Sequence, residues 1–269
     1  MNEAHEINKK WWNEVTPVHV GSDFYAVDRF LAGENKLGAV ECEAVGDVTG
    51  KRLLHLQCHF GLDTMSWARL GTKEAIGVDF SSEAVKAATD LAQKAGLAEC
   101  VRFVEGDVQE VGVVEGGGFD VIYTSFGTIV WLSDLKKWGQ TIAQNLAKDG
   151  FFYFLDSHPT YLMYDEGKSD LTLAYDYFHN EEPIIDPPGS VSYADENYTI
   201  QSGTHEFQWP LQDMYGALED AGLTVFETRE YPFGAWRMLP DMEIAEDGYW
   251  YRKQAGLRIP LLLGFKARW

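Results

Sequence analysis

The feature that most constrains this chain is a regular alternation of short apolar segments with helical segments between residues 52 and 155. Parallel strands need a long crossover connection, usually a helix, so this rhythm predicts βαβ units. A mostly parallel sheet with helices on both faces is therefore expected. The predicted strands are residues 52–57, 75–79, 101–105, 119–124 and 151–155.

Helix signals fall between these strands. Apolar spacing predicts a helix over residues 62–70, and Ser81 and Ser82 are candidate N-caps for a helix that runs to Lys94. A third helix is expected over residues 133–147, with Asp149-Gly150 as its stop signal. Past residue 208 the pattern predicts a helix over 211–221 and strands over 223–230 and 259–268.

Two regions interrupt this pattern. Residues 1–50 are expected to form an N-terminal helical arm, whose first helix spans residues 5–15 and carries Trp11 and Trp12. Residues 160–208 show no period and are rich in tyrosine, proline and acidic residues. We expect them to be a lid inserted into a single domain over residues 51–269, above the strand ends.

Composition narrows the function classes. The chain has 22 basic and 42 acidic residues among 269, a net charge of −20. Such a charge repels phosphate backbones and anionic lipid, so no nucleic acid or membrane partner is expected. No secretory signal or spanning apolar run is recognised, and three cysteines suit a reducing cytoplasm. Without HExxH or CxxC spacing, no metal is predicted.

Four polar segments follow predicted strands, at the edge where open α/β sheets bind ligands. The first runs from His55 to Gly61, whose glycine permits close approach at a helix N-terminus. Asp79 ends the next strand at the spacing of an acid that binds ribose hydroxyls, with Phe80 beside it as an adenine wall. The other two segments are Gly106-Asp107-Val108, with an acid able to accept from an adenine amino group, and Thr124-Ser125-Phe126.

Taken together, these segments resemble class I S-adenosylmethionine-dependent methyltransferases. The resemblance is closest to a bacterial branch that reads HLQCHFGLDT, here residues 55–64, in place of the glycine-rich motif. Residues 12–19, the WLSD stretch at 131–134 and His158-Pro159 are similar to that branch too. The resemblance implies a Rossmann-like fold whose seven-stranded sheet is parallel except for its last strand. It also implies S-adenosyl-L-methionine as cofactor, S-adenosyl-L-homocysteine as product, and methyl transfer to a small molecule.

The chain departs from the usual motif at three positions. His55 stands where most such enzymes have an acid, and Gln57 and His59 replace the first two glycines. We expect the side chain of Gln57 or His59 to meet the methionine carboxylate or amine of the cofactor, whereas His55, on an apolar strand, fits a core histidine as well as a ligand contact. The predicted cofactor-binding residues are Gln57, His59, Gly61, Asp79, Phe80, Asp107, Val108, Ser125, Trp12 and Tyr25, the last two as an arm that closes over the methionine end.

Several alternatives stay open at this point. His158 is the best-placed candidate base, although its position favours a hydrogen-bonding role at the lid hinge. A non-catalytic S-adenosylmethionine-binding regulator and a nicotinamide-dependent oxidoreductase share the predicted layout. The acidic, tyrosine-rich lid also suggests a cationic or amine acceptor. The sequence does not predict the oligomeric state.

Overall fold

A computed structural model describes residues 2–253 and 258–269, and its centre is a seven-stranded sheet. Five strands run parallel in the order β5-β4-β1-β2-β3, where these are Leu146–Ser157, Phe119–Ser125, Arg52–Leu56, Glu74–Asp79 and Val101–Glu105. The strand nearest the C-terminus, Leu262–Arg268, is antiparallel to both of its neighbours. This confirms the expected Rossmann-like sheet and its antiparallel last strand.

The remaining elements surround this sheet. The helices are α1 (Glu3–Val20), α2 (Val27–Leu31), α3 (Ala39–Val45), α4 (Leu62–Arg69), α5 (Ser82–Lys94), α6 (Leu135–Asn145) and α7 (Leu211–Asp220). Short 3-10 turns span Ile129–Trp131 and Tyr161–Met163. The later strands are β6 (Ile184–Asp186), β7 (Val191–Ser192), β8 (Asp195–Thr199), β9 (Thr204–Glu206), β10 (Thr224–Tyr231), β11 (Met242–Ile244), β12 (Trp250–Arg252) and β13 (Leu262–Arg268).

Both faces of the sheet are buried, as a parallel sheet requires. Trp138 of α6 packs edge-on against Phe152 of β5, and Phe154 stacks on Phe265 of β13. The opposite face is covered by α4, whose Trp67 contacts Tyr123 of β4. These two apolar layers fix the strands, so the polar segments at the strand ends meet along one edge.

Ser81 is the N-cap of α5, as predicted, and its side chain accepts a hydrogen bond from the Ala84 N–H. Two predicted boundaries were wrong. Helix α1 continues through Pro17 to Val20, and α6 ends at Asn145. Asp149-Gly150 lies inside β5, because Gly150 crosses so close to β4 that a Cβ there would lie 2.8 Å from the Asp120 carbonyl oxygen.

The region predicted as a lid is mostly irregular. Its regular parts are two small antiparallel pairs, β6 with β9 and β7 with β8. The Asn8 side chain of α1 hydrogen-bonds both backbone groups of His205 in β9, at 2.7 and 2.8 Å. The first helix and the inserted segment are therefore joined to each other above the sheet edge.

Candidate active site

The turn after β1 has a backbone that normally requires glycine. Gln57, His59 and Gly61 have φ angles of 57°, 51° and 77°, all in the left-handed region. Non-glycine residues are uncommon there and each costs of order 1–3 kcal/mol. These residues stand at the positions of the three glycines of the usual motif. The chain therefore keeps the backbone path of a glycine-rich turn while adding two polar side chains, those of Gln57 and His59.

Gly61 is required by packing as well as by its φ angle. A Cβ at this position would lie 2.3 Å from two ring atoms of Phe103 in β3. The space beside the Gly61 α-carbon is thus occupied by protein, which differs from the expectation that glycine leaves it open to a ligand. The N–H groups of Cys58, His59 and Gly61 already donate within the protein, which leaves Gln57 Oε1 and His59 Nδ1 as the unpaired polar atoms of the turn among the described residues.

Asp79 ties this turn to the end of β2. One carboxylate oxygen accepts from the His59 N–H at 2.7 Å, and the other accepts from the Ser81 N–H at 2.9 Å. Burial raises the pKa of Asp79 to about 6 in spite of these hydrogen bonds. Each oxygen keeps a lone pair for a further donor such as a ribose hydroxyl.

Asp107 is joined to the first helix. Its Oδ2 lies 2.6 Å from His5 Nδ1, and its Oδ1 accepts from the Gln109 N–H at 2.9 Å. Burial raises the pKa of this carboxyl, but the hydrogen bond and charge of His5 outweigh it, and the net pKa is lowered. The His5 ring also meets Phe80 edge-on at 6.2 Å, and neighbouring Val108 is buried. Asp107 and Phe80 therefore lie where His5 of α1 packs against the sheet edge.

Aromatic side chains cover the turn. Trp12 of α1 contacts His59 edge-on with ring centroids 4.8 Å apart, and Tyr25 stacks on His19 at 5.3 Å. The Tyr25 hydroxyl lies 2.5 Å from that of Tyr193 in the lid. The predicted arm residues Trp12 and Tyr25 therefore lie beside the predicted motif residue His59, in a closed arrangement.

Unpaired buried polar atoms show that this region suits a polar ligand. His19 Nδ1 lies 3.0 Å from His59 Nε2, and burial lowers the pKa of both rings, so both are neutral at pH 7. Among the described residues, His19 Nε2, His59 Nδ1 and Gln57 Oε1 have no hydrogen-bond partner. Whichever ring donates, one unpaired donor and one unpaired acceptor remain, and neutral rings do not repel a cation.

A polar cluster that sequence reasoning missed lies where β4 ends. The Ser125 hydroxyl donates to Asp63 of α4 at 3.2 Å, and the Tyr123 hydroxyl hydrogen-bonds Glu41 of α3. Glu41 is 3% exposed and also accepts from the Gly38 N–H at 2.7 Å. Ser125 was expected at this edge. The only sequence signal for Glu41 was an acid on the apolar face of a short helix.

His158, the predicted base, has both ring nitrogens paired. Nδ1 accepts from the Thr160 N–H at 3.0 Å, so Nε2 carries the proton that lies toward Glu230 of β10 at 2.9 Å. Burial lowers the pKa of the ring. A base role would require the Thr160 hydrogen bond to break, and the geometry favours the hinge role.

The remaining lid features lie apart from the turn. A surface cavity of about 360 Å³ is lined by lid residues around Tyr175 and Asp176. His179 stacks on Trp209 at 3.7 Å, which accounts for it as a packed ring. Among the described residues, no group of three or more His, Cys, Asp or Glu side chains is arranged to hold a metal ion.

The sequence is similar to known methyltransferases over part of its length. Residues 53–150 match the family model described as a methyltransferase domain. The chain is 27% identical over 175 residues to the uncharacterized methyltransferase YcgJ of Bacillus subtilis, covering 63% of this chain and 66% of the relative. It is 27% identical over 129 residues to a ubiquinone biosynthesis O-methyltransferase of Psychrobacter cryohalolentis, covering 45% and 50%.

A solved structure agrees over nearly the whole fold. An S-adenosylmethionine-dependent methyltransferase from Mesorhizobium loti superposes with a TM-score of 0.59 at 18% identity, covering 89% of this chain and all of that one. The chain thus has the class I methyltransferase fold, and its β1–β5 region carries the methyltransferase domain match. It spans about two thirds and one half of the two curated relatives.

Proposed function

We propose that this protein binds S-adenosyl-L-methionine at the β1–β3 edge and transfers its methyl group to a small molecule. The observation that carries this proposal is the left-handed turn of Gln57, His59 and Gly61, hydrogen-bonded to Asp79. Non-glycine residues in sparsely populated backbone conformations cluster at active sites and ligand clamps. The methyltransferase domain match over residues 53–150 supports the same reading.

Each predicted residue has a part in holding the cofactor. The Asp79 carboxylate would accept from the ribose hydroxyls, and Asp107 and Phe80 would meet the adenine. The unpaired atoms of Gln57, His59 and His19 would bind the methionine end, under a cover formed by Trp12 and Tyr25. Gly61 and Val108 would shape the backbone around the cofactor. Ser125 would lie toward the methyl group that is transferred.

The protein's contribution to the reaction is placement and exclusion of water. The cofactor, when bound, supplies a methyl group activated by a positively charged sulfur. Neutral imidazoles beside that charge avoid repelling it, and the closed cover of Trp12 and Tyr25 removes competing water. The acceptor would enter beside Ser125, where β4 ends.

The acceptor is proposed to be a small protic molecule, and a cationic amine is one candidate class. The lid residues 160–208 carry many carboxylates, which would concentrate cations. Most of them are exposed, so salt screens them beyond about 8–10 Å. A rise of the Michaelis constant with ionic strength is expected for an amine acceptor, and a flat constant would leave only a neutral one.

The direct experiment is methyl transfer from S-adenosylmethionine with a labelled methyl group into a pool of small phenols, amines and thiols. A labelled product is expected with the wild-type protein and with Asp90→Asn, an exposed control on α5. Binding of S-adenosylhomocysteine without any labelled product would instead favour the regulatory alternative. Binding of NAD in its place would favour an oxidoreductase.

The place of action is proposed to be the cytoplasm. Cys42, Cys58 and Cys100 are all free thiols, which suits a reducing compartment. No helix among residues 2–253 and 258–269 has the length and apolar character to cross a bilayer. A protein released intact with the cytoplasmic fraction is the expected result, and recovery in a secreted fraction would contradict it.

A further inference from the structure

The polar cluster at the end of β4 connects the edge of the site to a buried carboxyl group. Asp63 is partly exposed and accepts from the Ser125 hydroxyl at 3.2 Å. Tyr123 lies two residues before Ser125 on the same face of β4, and its hydroxyl hydrogen-bonds Glu41. Two carboxyl groups are therefore each hydrogen-bonded to a hydroxyl of the same strand, one at the sheet edge and the other in the core.

We propose that Asp63 is the catalytic base that takes the proton of the methyl acceptor, and that Glu41 is a positioning residue that holds a proton which would otherwise neutralise Asp63. This inference rests on the proposed methyl transfer. Ser125 and Tyr123 hold the two carboxyl groups at one face of β4.

Neither carboxyl group needs the heavier atoms to move when it gains or loses a proton. The Tyr123 hydroxyl can donate to an ionised Glu41 or accept from a protonated one, and the Ser125 hydroxyl donates to an ionised Asp63. Hydroxyl hydrogens rotate to suit either state.

Burial decides which carboxyl group keeps the proton. Burial raises the pKa of Glu41 to about 8, and the negative charge of Asp63 adds to this effect. Burial raises the pKa of Asp63 to only about 6, opposed by Ser125 and by the positive charge of Lys36. At pH 7 Glu41 thus keeps its proton, and the ionised carboxylate is Asp63, the one nearer the site.

Neighbouring polar atoms give a second reason to place chemistry here. The His55 ring contacts Tyr123 at 4.7 Å, and the Tyr153 ring stacks against it at 6.2 Å. Both are 2% exposed, and His55 Nε2 and the Tyr153 hydroxyl have no hydrogen-bond partner among the described residues. Packing alone would be served better by apolar side chains, since unpaired buried polar groups are costly.

The proton step balances with the groups named. The acceptor's O–H or N–H bond breaks, and its proton forms an O–H bond with the Asp63 carboxylate. The electron pair left on the acceptor forms the new bond to the methyl group, and the sulfonium sulfur keeps the pair of the bond that breaks. The partly exposed Asp63 then releases its proton to water.

The first test follows the carboxyl groups without any acceptor, by NMR titration of the protein labelled at its Asp and Glu carboxyl carbons. Asp63→Asn is expected to lower the pKa of Glu41 by about one unit or more, as for a coupled pair. Asp90→Asn, on the exposed face of α5, should leave it unchanged. An unchanged Glu41 pKa in Asp63→Asn would overturn the coupling of the two carboxyl groups. Other titratable groups also interact electrostatically with Asp63 or Glu41. They are Lys36, Tyr25, Cys58, Cys42, Tyr153 and Tyr249.

The second test measures transfer to a phenol, an aniline and a primary alkylamine. Asp63→Asn is expected to lower the rate by about 10²–10⁴-fold, the usual contribution of a general base. The wild-type rate should fall as the pH drops below about 6. The affinity for S-adenosylhomocysteine should stay within about threefold. A full rate in Asp63→Asn would overturn the base role.

The two failures are distinguishable. A wild-type protein that binds no S-adenosylhomocysteine contradicts the proposed function. The NMR titration still shows, independently of the cofactor, whether the pKa values of Asp63 and Glu41 are coupled. A wild type that binds it but methylates none of the three acceptors contradicts methyl transfer and the base role together. A wild type that methylates, with an equally active Asp63→Asn, contradicts the base role alone.

Discussion

His5 Nδ1 lies 2.6 Å from Asp107 Oδ2, so the first helix is bound to the loop that follows the third strand of the sheet. Asn13 strengthens this attachment, since its side-chain oxygen accepts from the Ser81 hydroxyl at 2.7 Å at the start of α5. Helix α1 thus forms a cover over the candidate site, which we call the roof. Opening of this roof has to break a buried hydrogen bond to a carboxylate.

We predict that His5→Ala loosens this roof and destabilises the protein. Asp107 is 8% exposed, and removal of its partner leaves a buried carboxylate short of a donor, at a cost of roughly 1–3 kcal/mol. Because His5 lowers the folded-state pKa of Asp107, this stabilisation is present above the unfolded-state pKa of about 4. This stabilisation is lost as the pH falls through the lowered folded-state pKa of Asp107.

Urea unfolding at pH 7 and pH 3 measures this effect. The difference between wild type and His5→Ala should be larger at pH 7. The exposed Glu83→Ala variant on α5 is the control and should show little difference at either pH. Equal destabilisation at both values would contradict the ionic part of the His5–Asp107 interaction.

A second prediction separates backbone strain from packing at the motif turn. Gly61→Ala is expected to destabilise the protein by about 2–4 kcal/mol, because the added methyl group meets the Phe103 ring and φ is 77°. Gly96→Ala is the matched control, with a φ of 71° and no atom within 4 Å of the added Cβ.

Chemical denaturation of both glycine variants provides the comparison. Gly96→Ala should lose only about 1 kcal/mol, the cost of the left-handed backbone alone. The difference between the two variants is then the packing cost against Phe103. Equal losses would mean that the β3 ring moves aside freely and that packing does not require glycine at position 61.

A third prediction concerns the pH dependence of stability. Burial raises the folded-state pKa of Glu41 to about 8, above an unfolded value near 4.3. Between these values the folded state binds a proton that the unfolded state lacks. Glu41 therefore lowers the unfolding free energy as the pH rises through this window, by at most about 1.4 kcal/mol per pH unit.

Glu41→Gln should remove this slope while retaining a side chain that accepts from Tyr123. Unfolding free energies at pH 6 and pH 7 for wild type, Glu41→Gln and the exposed control Glu83→Gln give the measurement. The loss of the Gly38 hydrogen bond affects both pH values equally, so the slope is the informative quantity. An unchanged slope in Glu41→Gln would show that Glu41 is ionised throughout.

Much of the sheet could be predicted because hydrophobic period and length are local signals. The third strand, Val101–Glu105, was predicted at its observed bounds, and Ser81 was identified as a cap by its side chain. The α6–β5 boundary was misread, because Asp149-Gly150 has the composition of a turn but is used for close strand contact.

Two sequence signals predict residues of the candidate site. Asp79, Asp107 and Ser125 follow strands, and topology alone brings such residues to one edge. Trp12 and Tyr25, in the arm ahead of the first strand, were expected to cover the motif turn, and their rings lie next to His59. Glu41 of α3 and Asp63 of α4 reach the hydroxyls of β4 through tertiary packing, and no sequence spacing encodes these contacts. The His5–Asp107 hydrogen bond joins residues far apart in the chain and was missed for the same reason.

The most direct test of the central claim is calorimetric binding of S-adenosylhomocysteine to wild type and Asp79→Ala, with NAD as the comparison ligand. We predict that wild type binds S-adenosylhomocysteine and not NAD. Folded Asp79→Ala is expected to bind S-adenosylhomocysteine roughly ten- to a hundredfold more weakly, through loss of charge-assisted hydrogen bonds worth about 1.5–3 kcal/mol. Equal affinity in a folded Asp79→Ala, or preferential binding of NAD by wild type, would contradict this claim.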